Sequence, residues 1–365
     1  MTATTPAPRA LSKLPVAILG ATGAVGQTFV RLLQDHPWFE IAEVAASERS
    51  AGRRYADVTR WIEGPMPAAV ADMTVTLCDP ATVRSPLVFS ALDASAAAVL
   101  EPAFATDGRF VLSNAKNFRM EPDVPLVIPE VNAAHLALLD AQSARGWTGG
   151  VVTNANCAAT VATMALAPLH EVFGVRELFL ATMQAVSGAG YPGVPSLDIL
   201  GNVIPYIGDE EPKLEREMQK MLGAVTGARV TDAPFVVSAH ANRVPVEHGH
   251  TVVMSVRFAT RPSVLEALAV LREWTGAPAV RGLPTAPAHP LVVTDEENRP
   301  QPRRDVDAGR GMTVTVGRVR SDTIFDLKLV AMGHNTIRGA AGGSILNAEL
   351  LAASGRLGWT PPGRG

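Results

Sequence analysis

Cysteine is scarce in this chain of 365 residues, which contains only two. Two cysteines cannot build a disulfide framework, so the sequence indicates a reducing compartment and we expect a cytoplasmic protein. Charged residues make up 18% of the chain and the net charge is −3, with no dense stripe of lysine and arginine, which argues against a nucleic-acid partner. No apolar run approaches the length of a membrane span, so no membrane partner is expected either.

Apolar residues are abundant at 47%, which is ample for packed cores. A chain of this length is typical of two domains. Residues 1–13 are rich in threonine, alanine and proline and lack an apolar segment, which predicts a disordered tail and not a signal peptide.

The two halves of the chain differ in their secondary-structure pattern. Short β-rich runs alternate with helical patterns in the first half, which predicts a parallel, doubly wound sheet. The second half has longer strands with cleaner alternation at 178–187, 251–260, 312–320 and 324–331, interrupted by helices at 158–173, 212–222 and 262–275. Such strands usually form a mostly antiparallel sheet with one face covered.

A glycine pattern follows the first predicted strand and opens a helix. Gly20, Gly23 and Gly26 are spaced three residues apart, which is a variant of the Rossmann fingerprint. The first glycine permits a tight turn, the second lets the backbone approach a pyrophosphate, and the third lets the helix pack on the strand. A turn before any helix is the alternative. The residues expected to contact the cofactor here are Gly20, Thr22, Gly23, Ala24, Val25 and Gly26.

The next predicted strand ends in side chains that suit a phosphate. NAD sites usually place a carboxylate at this strand end, whereas hydroxyl and guanidinium groups suit the 2′-phosphate of NADP. Ser47, Arg49 and Ser50 therefore favour NADP, while Glu48 is compatible with NAD. A solvated basic turn is the alternative interpretation.

Cys157 lies between a predicted strand end and an alanine-rich helix. Helix N-terminal amides beside a thiol favour the thiolate, the form that acts as a nucleophile. Such amides, with the Asn156 side chain, would also stabilise an oxyanion. A buried, inert cysteine is the alternative.

Three of the eight histidines fall within residues 240–250. His250 shares a strand face with apolar residues, so we predict that it points inward as the proton-transfer group for Cys157. A metal site made by His248, His250 and Cys157 is the alternative; no second cysteine or acidic ligand has metal-site spacing, so no metal is predicted. Arg243 suits a bidentate clamp on a carboxylate, with a surface arginine as the alternative.

Several motifs together resemble the aspartate-semialdehyde dehydrogenase family, in its archaeal and fungal branch. The resemblance extends from about residue 16 to 351 and rests on three segments: Ser113-Asn114-Ala115-Lys116-Asn117-Phe118-Arg119, Asn156-Cys157-Ala158-Ala159-Thr160, and Arg243 to His250. One departure is Ala241, where many family members have a cysteine. The resemblance implies an α/β protein: an N-terminal Rossmann-type doubly wound NADP-binding domain over 14–155, completed by 335–360 with a C-terminal helix that returns to it, and an α+β catalytic and dimerisation domain over 156–334.

The family's site residues map onto matching positions. Cys157 would be the nucleophile and His250 the acid/base group. Arg243 would hold a substrate carboxylate, with Gln184 and Asn156 beside it. Glu210, with Glu211 as a close competitor, would contact the substrate amine. Arg119 and Lys213 would bind phosphate, and Ser187, Gly188 and Asn335 would lie on the cofactor side.

The resemblance also implies a reaction. This is the reversible, NADPH-dependent reductive dephosphorylation of L-4-aspartyl phosphate to L-aspartate 4-semialdehyde through a cysteine thioester, a step in lysine, methionine and threonine biosynthesis. A homodimer or homotetramer is implied as well. Alternatives are a related malonyl-CoA or N-acetylglutamyl-phosphate reductase, or a non-catalytic nucleotide-sensing protein that keeps the fold.

Overall fold

The computed structural model describes residues 13–362, so all but the last residue of the predicted tail at 1–13 lies outside the described residues. Seven parallel strands form the first sheet, in the order β3-β2-β1-β4-β5-β7-β6. They are β1 (Leu14–Leu19), β2 (Phe39–Ala46), β3 (Thr76–Leu77), β4 (Leu87–Ser90), β5 (Phe110–Ser113), β6 (Leu126–Val127) and β7 (Gly150–Asn154). The helices of this half are α1 (Ala24–Leu33), α2 (Tyr55–Val58), α3 (Ala68–Ala71), α4 (Ala94–Thr106) and α5 (Pro129–Asn132), followed by a 3₁₀ stretch at Ala133–Arg145.

A six-stranded mixed sheet dominates the second half, in the order β11-β8-β12-β15-β14-β13. Its strands are β8 (Val175–Gln184), β11 (Val236–Arg243), β12 (His250–Phe258), β13 (Leu291–Val293), β14 (Val314–Ser321) and β15 (Leu327–Gly333), while β9 (Ala224–Thr226) and β10 (Arg229–Thr231) form a separate hairpin. The helices are α6 (Cys157–Phe173), α7 (Ser196–Ile199), α8 (Glu210–Met221), α9 (Val264–Glu273), α10 (Pro302–Asp305) and α11 (Gly342–Ala353). Single 3₁₀ turns lie at Val186–Ala189, Pro278–Val280 and Ala308–Gly311, and a π-helical turn at Ile337–Ala341.

The second sheet is less antiparallel than its sequence pattern predicts. β12 pairs antiparallel with β8 and β15, and β14 with β15. However, β11 runs parallel to β8, and β13 runs parallel to β14. The connection from β8 to β11 contains α7 and α8, and a connection of that length permits parallel pairing. This crossover lays α8 along β11 and brings its first residue, Glu210, to Gln184 at the end of β8, where the candidate site lies.

Helix α6 packs against the second sheet and is buried along almost its whole length. Its small side chains, from Ala158 to Ala167, let α8, β12 and β15 approach closely. The first residue of this helix is Cys157, so the rigidity of the central core extends to the thiol.

Helix α11 returns to the first sheet, which confirms that part of the predicted fold. Ile345, Leu346 and Leu350 share a core with Val16 and Phe89. No helix within residues 13–362 is long and apolar enough to cross a bilayer.

A fully buried ion pair joins the turn before α11 to α5. Arg338 donates to both carboxylate oxygens of Glu130, at 2.7 and 2.6 Å, and neither side chain is more than 2% exposed. The next residue, Gly339, packs directly on Cys157, since a Cβ at Gly339 would lie 2.5 Å from that of Cys157. The ion pair therefore fixes the backbone behind the thiol.

Candidate active site

A cleft of about 470 Å³ opens between the carboxyl edge of the first sheet and the second sheet. Ala24 and Val25, at the start of α1, line one side of the cleft, and Cys157, at the start of α6, lines the other. Parallel strands in an open sheet place the helix starts that follow them along one edge, where such folds bind ligands. The predicted glycine loop and the predicted nucleophile thus face the same space.

Cys157 and His250 lie in direct contact. The Sγ–Nε2 distance is 3.1 Å, although 93 residues separate the two positions. His250 is the first residue of β12 and is completely buried, whereas Cys157 is partly exposed to the cleft. This geometry satisfies the requirement that a nucleophile and its proton partner meet within hydrogen-bond reach.

The imidazole of His250 is held by a backbone group on its other side. The N–H of Ala185 donates to Nδ1 at 3.1 Å. A nitrogen that accepts a hydrogen bond carries no proton, so the neutral ring has its proton on Nε2, the atom that faces the sulfur. His250 is therefore oriented as a hydrogen-bond donor toward Cys157.

Both members of this pair are neutral in the free chain near pH 7. Burial raises the pKa of the Cys157 thiol to about 12, and the Glu210 carboxylate adds to the effect, while Arg119 and Arg243 oppose it. Burial also lowers the pKa of His250 to about 3, helped by the positive charge of Arg243. The helix start does favour the thiolate as predicted, since the N–H of Ala158 lowers the pKa of the thiol, but the cost of burying the charge is larger.

The side chain of Asn156 occupies the first amides of α6. Its Oδ1 accepts hydrogen bonds from the amides of Ala158 and Ala159, both at 3.0 Å, and so caps α6. Those two amides already have an acceptor in the free chain, and their role in stabilising a substrate oxyanion stays a prediction. The Nδ2 of Asn156 donates one hydrogen to Glu210 at 2.7 Å, which leaves its second hydrogen for the cleft.

Glu210, and not its neighbour Glu211, faces the cleft. Its Oε1 accepts from Asn156 and from Nε2 of Gln184 at 3.0 Å, and Lys213 Nζ lies 3.4 Å from Oε2. Glu211 instead accepts the backbone N–H of Ala241 at 3.0 Å. Of the two glutamates that the sequence motif offers, Glu210 is therefore the one at the candidate site.

We expect Glu210→Gln to make the thiol more acidic. Removing a neighbouring anion favours the thiolate, so the pKa of Cys157 should fall by about one unit and its alkylation by iodoacetamide at fixed pH should accelerate about tenfold. Alkylation of Cys157 between pH 7 and 10 is followed by peptide mass spectrometry. Glu211→Gln is the matched control and should leave the rate unchanged. Identical pH–rate curves for Glu210→Gln and the wild type would contradict the expectation.

Two buried arginines point into the cleft. Arg119 donates Nη1 to Glu217 at 3.0 Å and Nη2 to the carbonyl of Asn114 at 2.8 Å, while its Nε has no partner within residues 13–362. Arg243 donates Nη1 to the carbonyl of Ala185 at 2.7 Å. Each guanidinium keeps unused donors beside the thiol, which suits the binding of anions.

The glycine loop has the shape that a dinucleotide needs. Gly20 has φ +73°, and a Cβ there would lie 2.6 Å from the carbonyl oxygen of Ala91. A Cβ on Gly26 would overlap the carbonyl of Gly20, so the helix can approach the turn only without a side chain. The predicted contacts Thr22 and Gly23 lie in the turn itself. These residues fit a pyrophosphate at the start of α1.

The other predicted cofactor residues form two separate groups. Ser47, Arg49 and Ser50 lie in a turn directly after β2 and do not line the cleft. Ser187, Gly188 and Asn335 do line it. Asn335 donates Nδ2 to the Ser187 hydroxyl at 2.8 Å and accepts the N–H of Gly249 at 2.9 Å, so it ties the cofactor side to the turn before His250.

The remaining histidines of the cluster are not arranged around Cys157. His248 stacks on His334, with ring centroids 4.9 Å apart. Within residues 13–362 no group of three histidine, cysteine or acidic side chains is placed to hold a metal ion.

Three residues at the site are not among those predicted from the sequence. Asn114 and Lys116 line the cleft, and Glu217 lies behind Arg119. Glu217 follows Glu210 by seven residues and Lys213 by four, so helical spacing alone would have placed all three on one face of α8.

Comparison with known proteins identifies the family. The model of the semialdehyde dehydrogenase NAD binding domain matches residues 15–139, and that of the semialdehyde dehydrogenase dimerisation domain matches residues 166–338. An aspartate-semialdehyde dehydrogenase of Methanothermobacter thermautotrophicus is 48% identical over 341 residues, covering 92% of this chain and 98% of the relative. The chain belongs to the aspartate-semialdehyde dehydrogenase family.

Fungal members of the aspartate-semialdehyde dehydrogenase family are nearly as similar. The enzyme of Schizosaccharomyces pombe is 46% identical, with 94% of this chain and 99% of the relative covered. The crystal structure of the Candida albicans enzyme with NADP has a TM-score of 0.87 at 42% identity, and covers 94% of this chain and 99% of that one. These matches confirm the resemblance to the archaeal and fungal branch, the predicted enzyme class and the Rossmann-type fold, and they agree with the NADP prediction. The two family models confirm a dinucleotide-binding domain and a dimerisation domain.

Proposed function

We propose that this protein catalyses the reversible, NADP-dependent conversion of L-4-aspartyl phosphate to L-aspartate 4-semialdehyde and phosphate. The observation that carries the proposal is the contact of 3.1 Å between Cys157 Sγ and His250 Nε2, in a cleft that also borders the dinucleotide loop. A thiol in this position can capture an acyl group where a hydride donor can reach it.

The charges of the cleft match those of this substrate. The substrate has a carboxylate, an ammonium group and a phosphate. Arg243 is suited to the carboxylate and Glu210 to the ammonium group, with Gln184 and Asn156 orienting both. Arg119 and Lys213 both line the cleft and are suited to the phosphate.

The residues of the chain account for the covalent steps. The sulfur of Cys157 attacks the acyl carbon, a C–S bond forms and the bond from that carbon to the phosphate oxygen breaks. The thiol proton leaves with the phosphate as hydrogen phosphate, because Nε2 of His250 already carries a proton and cannot accept a second one without becoming charged. NADPH, when bound, supplies the hydride that reduces the resulting thioester. The C–S bond then breaks, the aldehyde leaves, and the proton on Nε2 of His250 stabilises the returning thiolate until a proton from solvent restores the thiol. In the oxidative direction the same steps run in reverse.

NADP, and not NAD, is the proposed cofactor. The hydroxyl and guanidinium groups of Ser47, Arg49 and Ser50 are exposed or half-buried after β2, where a 2′-phosphate would lie. The similar Candida albicans enzyme, whose crystal structure was solved with NADP, supports this choice. We further propose a homodimer or homotetramer, a cytoplasmic location and the domain division at residues 155/156 and 334/335. The dimerisation-domain match and the two free cysteines support the first two.

A comparative assay tests the proposal. With L-aspartate 4-semialdehyde, NADP and phosphate, we expect phosphate-dependent formation of NADPH, with kcat/KM of roughly 10⁴ M⁻¹s⁻¹ or more. Malonyl-CoA and N-acetylglutamyl phosphate, each with NADPH, are the comparison substrates and should react at least about a hundredfold more slowly. Faster turnover of either comparison substrate, or oxidation that does not need phosphate, would exclude the proposed reaction.

A further inference from the structure

Four charged side chains of α8 point the same way. Glu210, Lys213, Glu217 and Lys220 are spaced by three or four residues, which places them on one face of the helix. The first two line the cleft, whereas Glu217 and Lys220 are both 2% exposed and lie beneath its floor. Burying charges at this depth is costly unless each one is fully paired.

Glu217 makes two contacts that join the two functional halves of the cleft. Its Oε1 accepts from Nη1 of Arg119 at 3.0 Å, and its Oε2 accepts the backbone N–H of Asn156 at 2.7 Å. Asn156 directly precedes the nucleophile. One carboxylate group therefore connects the arginine beside the cleft to the peptide that carries Cys157.

Lys220 holds the main chain of the same arginine loop. Its Nζ donates to the carbonyls of Arg119, Glu121 and Val124 at 2.7, 2.6 and 2.8 Å, which uses all three of its hydrogens. Because Lys220 fixes the loop backbone, the contact with Glu217 is left to set the direction of the Arg119 side chain.

We propose that Glu217 is a positioning residue that sets the location of the phosphate-binding guanidinium relative to the attacking sulfur. The inference rests on the proposed function in so far as Arg119 binds the phosphate. Without the carboxylate, Arg119 keeps only the carbonyl of Asn114 as a partner and can rotate away. A misplacement of about 1 Å at a reacting centre can cost on the order of a hundredfold in rate.

The first measurement uses the proposed reaction. For Glu217→Gln, we expect KM for phosphate to rise at least about tenfold while KM for NADP stays unchanged. A glutamine side chain has one acceptor oxygen, so it can accept from Arg119 or from the N–H of Asn156 but not from both. Glu215→Gln is the matched control, because it removes the same charge from the same helix at a residue whose one hydrogen bond within residues 13–362 is accepted from the amide of Ala239. An unchanged KM for phosphate in Glu217→Gln would overturn the inference.

A second measurement does not depend on the substrate. Iodoacetate and iodoacetamide both alkylate Cys157, and a guanidinium near the sulfur favours the anionic reagent. We expect the ratio of the two rates to fall severalfold in Glu217→Gln but not in Glu215→Gln. If the wild type lacks phosphate-dependent turnover but the ratio still falls in Glu217→Gln, the proposed function is refuted and the positioning role is retained. An unchanged ratio in Glu217→Gln would refute the positioning role.

A more conservative variant distinguishes a loss of positioning from a loss of folding. Glu217→Asp keeps the charge but is one methylene shorter, so it cannot reach both Arg119 and Asn156. We expect a melting temperature closer to that of the wild type than for Glu217→Gln, with the same rise in KM for phosphate and the same fall in the reagent ratio. Wild-type values of both would overturn the inference.

Discussion

Replacing Cys157 by alanine will lower turnover by roughly 10⁴-fold or more while leaving the Kd for NADPH unchanged. The variant removes the only atom that can form the thioester, but it leaves the glycine loop and the start of α1 intact. Initial rates with L-aspartate 4-semialdehyde, NADP and phosphate measure the loss, and fluorescence titration measures the binding of NADPH. Mass spectrometry supplies direct evidence, since the wild type exposed to aspartyl phosphate without NADPH should carry an acyl group on Cys157.

The other cysteine provides the matched control for this prediction. Cys78 is buried in the core behind the first sheet, and burial raises the pKa of its thiol as well. Cys78→Ala should therefore keep near-normal turnover and the acyl adduct. Turnover of Cys157→Ala within about tenfold of the wild type would rule out covalent catalysis by this thiol.

Replacing Arg338 by methionine should lower the free energy of unfolding by about 3–5 kcal/mol. The change leaves the Glu130 carboxylate buried without its partner, and it also removes a contact of 3.1 Å from Nη2 to the sulfur of Met164. The midpoint of urea-induced unfolding at pH 7 and the melting temperature measure the loss. Activity should fall too, because the next residue packs on Cys157.

Two further variants test whether the lower free energy of unfolding of Arg338→Met comes from the unpaired buried charge of Glu130. The double variant Arg338→Met with Glu130→Met removes both charges and should recover most of the lost stability. Arg272→Met breaks an exposed pair with Asp295, 2.6 Å apart, and should change stability by less than about 1 kcal/mol. Equal losses from Arg338→Met and Arg272→Met would mean that burial of the pair is unimportant.

Features coded by short, continuous segments could be predicted from the sequence. The glycine loop, the strand-to-helix junction at Cys157 and the inward face at His250 each depend on a few neighbouring residues, and the structure has all three. The family resemblance added the contacts across the cleft. It did so because several motifs occur in the right order, although no single motif determines the distance between Cys157 and His250.

Features that depend on long-range packing could not be predicted. The high pKa of the thiol follows from burial by elements far apart in sequence and from Glu210, which is 53 positions away. The proton position on His250 follows from the amide of Ala185, 65 residues earlier. The parallel pairing of β8 with β11 depends on the path of the connection between them. None of these has a local sequence signal.

The two backbone hydrogen bonds of Ala185 have a consequence for substrate size. The N–H of this residue fixes His250, and its carbonyl fixes Arg243. Both contacts come from one residue, so the two side chains are positioned by the same short segment of backbone. With the carboxylate of an amino acid bound at Arg243, the distance from the guanidinium to the sulfur beside the imidazole sets the length of the substrate. A substrate with one more methylene would place its acyl carbon beyond the sulfur and would be rejected by its length alone.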